Sequence, residues 1–202
     1  GNSDASGDKM DLHLPKVQEE LIEKVTAVGK PTIVVLMAGS AIDLNYEEEN
    51  CNGILLAWYP GARGGKAVAD ILFGNVSPSG KLPVTFYKDL DGMPEFTDYS
   101  MKNRTYRYME KPALYPFGYG LSYGDICVTR VEIKNTVTRD SDIELEISAE
   151  NKSDIETEDV IQIYIKDLES PNAVRNHSLC GFKRIHLKGG EKKTLHMTVK
   201  NS

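Results

Sequence analysis

A chain of 202 residues with 40 % hydrophobic content is long enough for one large domain, or for two small ones with cores of their own. Its formal net charge of −6 argues against nucleic acid and anionic membrane surfaces as partners, because both need clustered Lys and Arg to displace counterions. The longest apolar run, residues 33–38, falls far short of the roughly 20 residues that cross a bilayer, and no charged-then-apolar leader opens the chain, so a soluble protein facing neutral ligands is expected.

In chain order, Pro15 opens a helical pattern in which Val17, Leu21, Ile22, Val25 and Val28 share one face, and Gly29 stands where that helix would end. Residues 32–38, TIVVLMA, are apolar on both faces, as a parallel strand covered by helices on each side requires. Glu47, Glu48 and Glu49 form a charge run read as solvated, and a second apolar run follows at 53–59. Residues 66–73 read as a helix with Ala67, Val68, Ile71 and Leu72 inward, and a third strand is predicted at 81–87. This β-α-β-α-β order predicts a parallel sheet with helices packed on it.

Between the second strand and its helix stand Gly61, Gly64 and Gly65. A phosphate-binding loop also sits at a helix N-terminus, but its Gly-Lys is followed by Ser or Thr, and here Gly65-Lys66 is followed by Ala67. Glycines used for a tight turn and close packing are the favoured reading. Trp58 and Tyr59 end an apolar strand and read as core, with stacking on a sugar ring as the alternative. Arg104, Tyr106, Arg107 and Tyr108 are read as a seal between domains, or else as a face towards a substrate-bearing partner.

The character of the chain changes near Gly124. VTRVEIK at 128–134, ELEISAE at 144–150, VIQIYIK at 160–166 and TLHMTV at 194–199 each alternate apolar and polar residues, separated by turn residues such as those at 151–154 and 189–190. A small antiparallel sandwich is expected, lacking its last edge strand. The predicted fold class is thus α/β plus all-β: a partial parallel-sheet α/β sandwich with flavodoxin-like layers over 1–124, then an immunoglobulin or fibronectin III-like sandwich over 125–202. Cys51, Cys127 and Cys180 are odd in number and widely spaced, so free buried thiols are favoured over a disulfide framework, and a cytoplasmic location over a secreted one. His13, His177, His186 and His196 are dispersed without metal-site spacing, so neither a metal nor any other cofactor is expected.

Several segments together resemble a known family. WYPGARGGKAVADILFGNVSPSGKLPVTFYKD, NRTYRY and LYPFGYGLSY resemble, in order and spacing, the C-terminal α/β-sandwich domain of family 3 glycoside hydrolases, the β-glucosidase and β-xylosidase group. ENKSDIETEDVIQIYIKD and SLCGFKRIHLKGGEKKTL are similar to the fibronectin type III-like domain that follows it, in what looks like a bacterial-type sequence.

The resemblance implies a retaining hydrolase with a carboxylate nucleophile and a carboxyl acid/base. In the family the nucleophile is an Asp on a TIM-barrel domain, and nothing here offers eight β/α repeats. The acid/base Glu precedes an Asp-Arg pair and an LxLP run. Residues 11–15, DLHLP, resemble that run and Asp8-Lys9 stands near the pair, but the first Glu is Glu19. The acid/base residue therefore lies upstream of Gly1 or the pattern has drifted, with Asp4 as a shortened substitute in the second case. No catalytic residue is assigned; Asp8 and Lys9 are the substrate-proximal candidates. The partners implied are a missing TIM barrel and a β-linked oligosaccharide or glycoside; the exposed edge of the α/β sheet, which invites pairing, is expected to be covered by a homodimer, by a shifted N-terminal segment or by a crystal neighbour. A non-catalytic carbohydrate-binding or protein-interaction module, and a nucleotide-binding α/β domain fused to a sandwich, are the competing functions.

Overall fold

The computed structural model describes residues 11–201, so Asp4, Asp8 and Lys9 lie outside the described residues. The chain divides into two compact units: the described residues up to Ala69 together with Pro83–Phe117, and Asp70–Leu82 together with the chain from Gly118 onward.

The first unit opens with helix α1 (Lys16–Thr26) directly after Pro15, whose fixed φ suits a helix entry. Gly29, at φ +73°, turns the chain out of it. Strands β1 (Ile33–Leu36) and β2 (Gly53–Leu56) pair in parallel, Ile33 against Gly53 and Leu36 against Leu56. Between them lies the short helix α2 (Asn45–Asn50). Helix α3 (Gly64–Leu72) follows β2, and α4 (Thr105–Tyr108) is a single turn.

Four expectations for this half are corrected. Val17 is 78 % exposed, and Leu21, Val25 and Val28 are exposed with it, so the apolar stripe of α1 is uncovered. Ile33 is likewise exposed, so β1 is not sheathed on both faces. In α3, Val68 and Ile71 are half-buried while Ala67 and Leu72 are exposed. The predicted strand at 81–87 does not form, because Pro83 has no N–H to give a ladder. In its place a single antiparallel bridge joins Phe86 and Tyr115, the Phe86 N–H donating to Tyr115 at 2.9 Å.

The second unit contains a β-sandwich. Strands β3 (Ile126–Ile133), β4 (Ile143–Asn151) and β7 (Lys192–Val199) form one antiparallel sheet in the order β3-β4-β7, and β5 (Thr157–Ile165) pairs with β6 (Ser178–Leu187) in the other. Leu145, Ile147 and Ala149 of β4, Ile161 of β5, Ile185 and Leu187 of β6, and Leu195 and Val199 of β7 make the core. Their alternation along each strand is the period-two signal visible in the sequence. Strand β6 is additional to the four read there; Gly181 and Lys183 interrupt its apolar alternation.

Asn151 closes the end of β4 and is fully buried. Its amide donates to the carbonyls of Ile155 (2.8 Å) and Lys188 (3.2 Å), and its Oδ1 accepts from the N–H (3.1 Å) and hydroxyl (2.8 Å) of Ser153. A buried amide with donor and acceptor both used fixes this turn.

Candidate functional site

In parallel α/β sheets the loops after the strands' carboxyl ends build ligand sites. Here these are the loops after β1 and β2. The first holds Ile42 and Leu44, both buried, and Asp43, whose N–H donates to the Leu12 carbonyl at 2.8 Å. That bond ties the DLHLP segment to the end of β1. His13 Nδ1 then lies 3.5 Å from Glu19 Oε1 and 3.7 Å from Asp43 Oδ2. Asp43 Oδ1 accepts from the backbone N–H (3.0 Å) and side-chain amide (2.6 Å) of Asn45, which sets the entry to α2.

Helix α2 carries the feature that the sequence reading missed. Glu47, assigned there to a solvated charge run, is 4 % exposed. Burial pushes its carboxyl above the usual carboxylate range, its own backbone N–H opposes this, and the charges of Asp43 and Glu19 push it further up. Burial, followed by Glu47, also raises the Cys51 thiol. The signal was helical spacing: Leu44, Glu47 and Cys51 fall at i, i+3 and i+7 on one face, while Glu49 and Asn50 fall outside it. Glu48 accepts from the Tyr115 hydroxyl, joining α2 to the LYPFGYGLSY segment.

The loop after β2 answers the glycine question. Gly61 has φ +64°, a conformation that costs other residues strain. Gly64 is buried against Pro60, where an added Cβ would fall 2.5 Å from the proline Cβ. Gly65 has open space around its Cβ position. Two of the three therefore serve a turn and a close packing contact. Tyr59 is 81 % exposed, which corrects its assignment to the core, and its hydroxyl lies over Gly39, where a Cβ would come within 2.3 Å. Trp58 is half-buried with φ +52° and stands past the end of β2.

The NRTYRY segment folds onto its own unit. Arg104 Nη2 donates to the carbonyls of Pro94 (3.2 Å) and Glu95 (2.8 Å), and the Thr105 N–H to the Tyr87 hydroxyl (3.0 Å). The Tyr106 ring stacks on Phe117 at 4.3 Å, so two of the segments that carry the family resemblance are in contact. Beside them a hollow of about 190 Å³ is lined by Tyr87, Asp89, Met93, Asn103, Glu110 and Lys111.

Chemically, the arrangement is supportive. Glu47 is too buried to meet a substrate, and its neighbours fix loops. Among the described residues no group of three or more His, Cys, Asp or Glu side chains is placed to hold a metal ion, and no helix is long and apolar enough to cross a membrane. The cysteines Cys51, Cys127 and Cys180 are free thiols.

Comparison with known proteins agrees with the sequence motifs. The family model described as Glycosyl hydrolase family 3 C-terminal domain matches residues 1–123, and that of the Fibronectin type III-like domain matches residues 159–202. The chain is 44 % identical to a xylan 1,4-beta-xylosidase of Xylanibacter ruminicola over 96 % of its own length and 22 % of that protein. It is 34 % identical to a periplasmic beta-glucosidase of Salmonella typhimurium over 98 % of its length and 28 % of that protein. Among solved structures it is similar to a Bifidobacterium adolescentis GH3 beta-glucosidase, with TM-score 0.87, 30 % identity, and 98 % of this chain against 31 % of that one. A b-glucosidase of Erythrobacter marinus matches with TM-score 0.85 and 35 % identity, over 98 % of this chain and 27 % of that one. The chain thus spans 22 % to 28 % of the length of these two curated relatives. With more than half of its residues matched by the family model, the chain belongs to the glycosyl hydrolase family 3 C-terminal domain family.

Proposed function

We propose that this chain is the supporting C-terminal part of a retaining β-glycosidase of the β-xylosidase or β-glucosidase type. One observation carries the reading: nearly the whole chain aligns with enzymes of those names, yet it accounts for about a quarter of their length. In a retaining mechanism one carboxylate attacks the anomeric carbon, while a carboxyl group protonates the leaving oxygen and later activates water. In this reading the nucleophile belongs to a TIM barrel outside the chain and the acid/base residue precedes Gly1. Residues 1–124 then descend from the α/β domain and 125–202 from the sandwich.

The open stripe of α1 supports the reading. Val17, Leu21, Val25 and Val28 are apolar and exposed along one helix face, a surface that a soluble protein covers with further structure. Upstream elements of the parent supply that cover. The role left to this chain is to hold the DLHLP segment against the β1 loop through the Leu12 to Asp43 bond.

The test is to express the chain together with its upstream coding sequence. A barrel-coding region and hydrolysis of aryl β-xylosides or β-glucosides are expected. An upstream region with no barrel, or an extended protein inert on both glycoside classes, overturns the proposal.

A further inference from the structure

Leu36 and Leu56 pair at the last rung of the parallel sheet, and the Ala57 N–H donates to the Leu36 carbonyl at 2.8 Å, so residues 37–39 and 57–59 leave β1 and β2 side by side. Ligands of parallel α/β sheets bind at this carboxyl edge. Tyr59 stands there 81 % exposed, with the hydroxyl end of its ring laid over Gly39: a Cβ on that glycine would fall 2.3 Å from the hydroxyl oxygen and 2.6 Å from Cζ. The backbone beneath is fixed on both sides. Trp58 holds φ +52°, a left-handed conformation that costs a bulky residue strain, and Pro60 restricts Tyr59 while packing against Gly64. The flanking residues of the two loops, Gly39, Ser40, Gly61 and Arg63, are small or polar and exposed. A large aromatic ring is thus oriented in advance on a polar surround.

We infer that Tyr59 is the stacking platform of a binding site for a neutral pyranoside, and that Gly39 is what lets its ring lie in place. The chemistry of the ligand follows from the platform. The negative face of an aromatic ring attracts the weakly positive C–H bonds of a saturated ring, and a β-xyloside or β-glucoside, whose ring hydroxyls are equatorial, presents axial C–H bonds on each face. Such a ring also carries a rim of hydroxyls. Ser40 and Arg63 bring a hydroxyl and a guanidinium to the loops that frame Tyr59, the few polar groups that a mainly stacking site uses for orientation. A protein partner calls for a wider apolar area than one ring. The choice of xyloside or glucoside rests on the function proposed above; the platform itself does not.

The test is titration of the 202-residue protein with methyl β-xylopyranoside and methyl β-glucopyranoside, read by saturation-transfer NMR of the ligand and by the fluorescence of the neighbouring Trp58. Millimolar binding is expected, with saturation strongest at the ring C–H protons. Xylitol, which carries hydroxyls but no ring face, is expected not to bind. Tyr59→Ala is expected to weaken binding about 10-fold and Tyr59→Phe to leave it within about twofold, both with the circular dichroism melt unchanged because the side chain is exposed. Gly39→Ala, which pushes the ring aside, should act like Tyr59→Ala. No binding of either glycoside, equal binding of xylitol, or a Tyr59→Ala protein that binds as well as the unaltered one overturns the inference. No turnover is read here, so an extended protein inert on glycosides removes the functional reading and leaves the site standing. Activity of the extended protein with no binding in this titration removes the site alone.

Discussion

Lys81 and Asp159 form an ion pair with Nζ 2.8 Å from Oδ1, and their side chains are only 18 % and 17 % exposed. The same ammonium donates to the Gly120 carbonyl at 2.7 Å. Lys81 thereby fastens the segment Asp70–Leu82 to β5 within one compact unit, and Thr157 repeats the contact with its hydroxyl 2.7 Å from that of Ser77. Lys81→Met leaves Asp159 poorly solvated and without its cation. It is expected to cost about 2 kcal/mol in urea denaturation followed by circular dichroism. Adding Asp159→Asn should recover part of that loss, and strictly additive effects in the double variant would show that the pair is not coupled.

The amide of Asn151 is the second fastening. Asn151→Ala is expected to destabilise the sandwich by about 2–3 kcal/mol, because the carbonyls of Ile155 and Lys188 and the hydroxyl of Ser153 lose a buried partner. Asn151→Asp should be worse at neutral pH, since it turns a carboxylate towards two carbonyl oxygens. Equal denaturation midpoints for the two variants would contradict this.

Glu47 makes the first unit less stable as pH rises above the ordinary Glu range. Its folded-state pKa is raised, so the folded form holds its proton more tightly than the unfolded chain does. The stability involved is fully present below the ordinary Glu range and is lost as pH rises through the folded-state value. Glu47→Gln is expected to flatten that decline and to stabilise the unit by on the order of 1 kcal/mol at neutral pH. Trp58, the one tryptophan in the sequence, reports the unfolding by fluorescence. A wild-type midpoint that climbs with pH over this window would contradict the sign.

The glycines differ in what they tolerate. At Gly118, φ is +82° and an added Cβ would fall 2.3 Å from Gln162 Oε1, so Gly118→Ala should cost about 2 kcal/mol or more. At Gly65, within α3 and with nothing near its Cβ position, Gly65→Ala should add about 0.5–1 kcal/mol. Calorimetric titration with ATP or NAD tests the same loop: turn glycines predict no heat of binding, and micromolar affinity would restore the phosphate-loop reading.

What the sequence conveyed follows from which forces act locally. The strands of the sandwich were legible because a sheet with one wet face writes its pattern every second residue, as Leu145, Ile147 and Ala149 do. Strand β6 was not, since Gly181 and Lys183 break that alternation and its pairing with β5 is a long-range event. The Lys81 region misled because an apolar stretch looks like a strand until the missing N–H of Pro83 is counted. Glu47 was hidden inside a run of three glutamates. Only its spacing from Leu44 and Cys51 separates it from Glu49, and the burial itself comes from tertiary packing. The α1 stripe was read correctly as apolar, but an amphipathic pattern says which face seeks cover without saying which chain provides it.

On the proposed function, these residues support glycoside cleavage without carrying it out. Its most direct test is nitrophenol release from aryl β-xyloside and β-glucoside by the purified 202-residue protein against a heat-killed control. The account predicts no release above the control from the chain alone, and sustained turnover by this chain would contradict it.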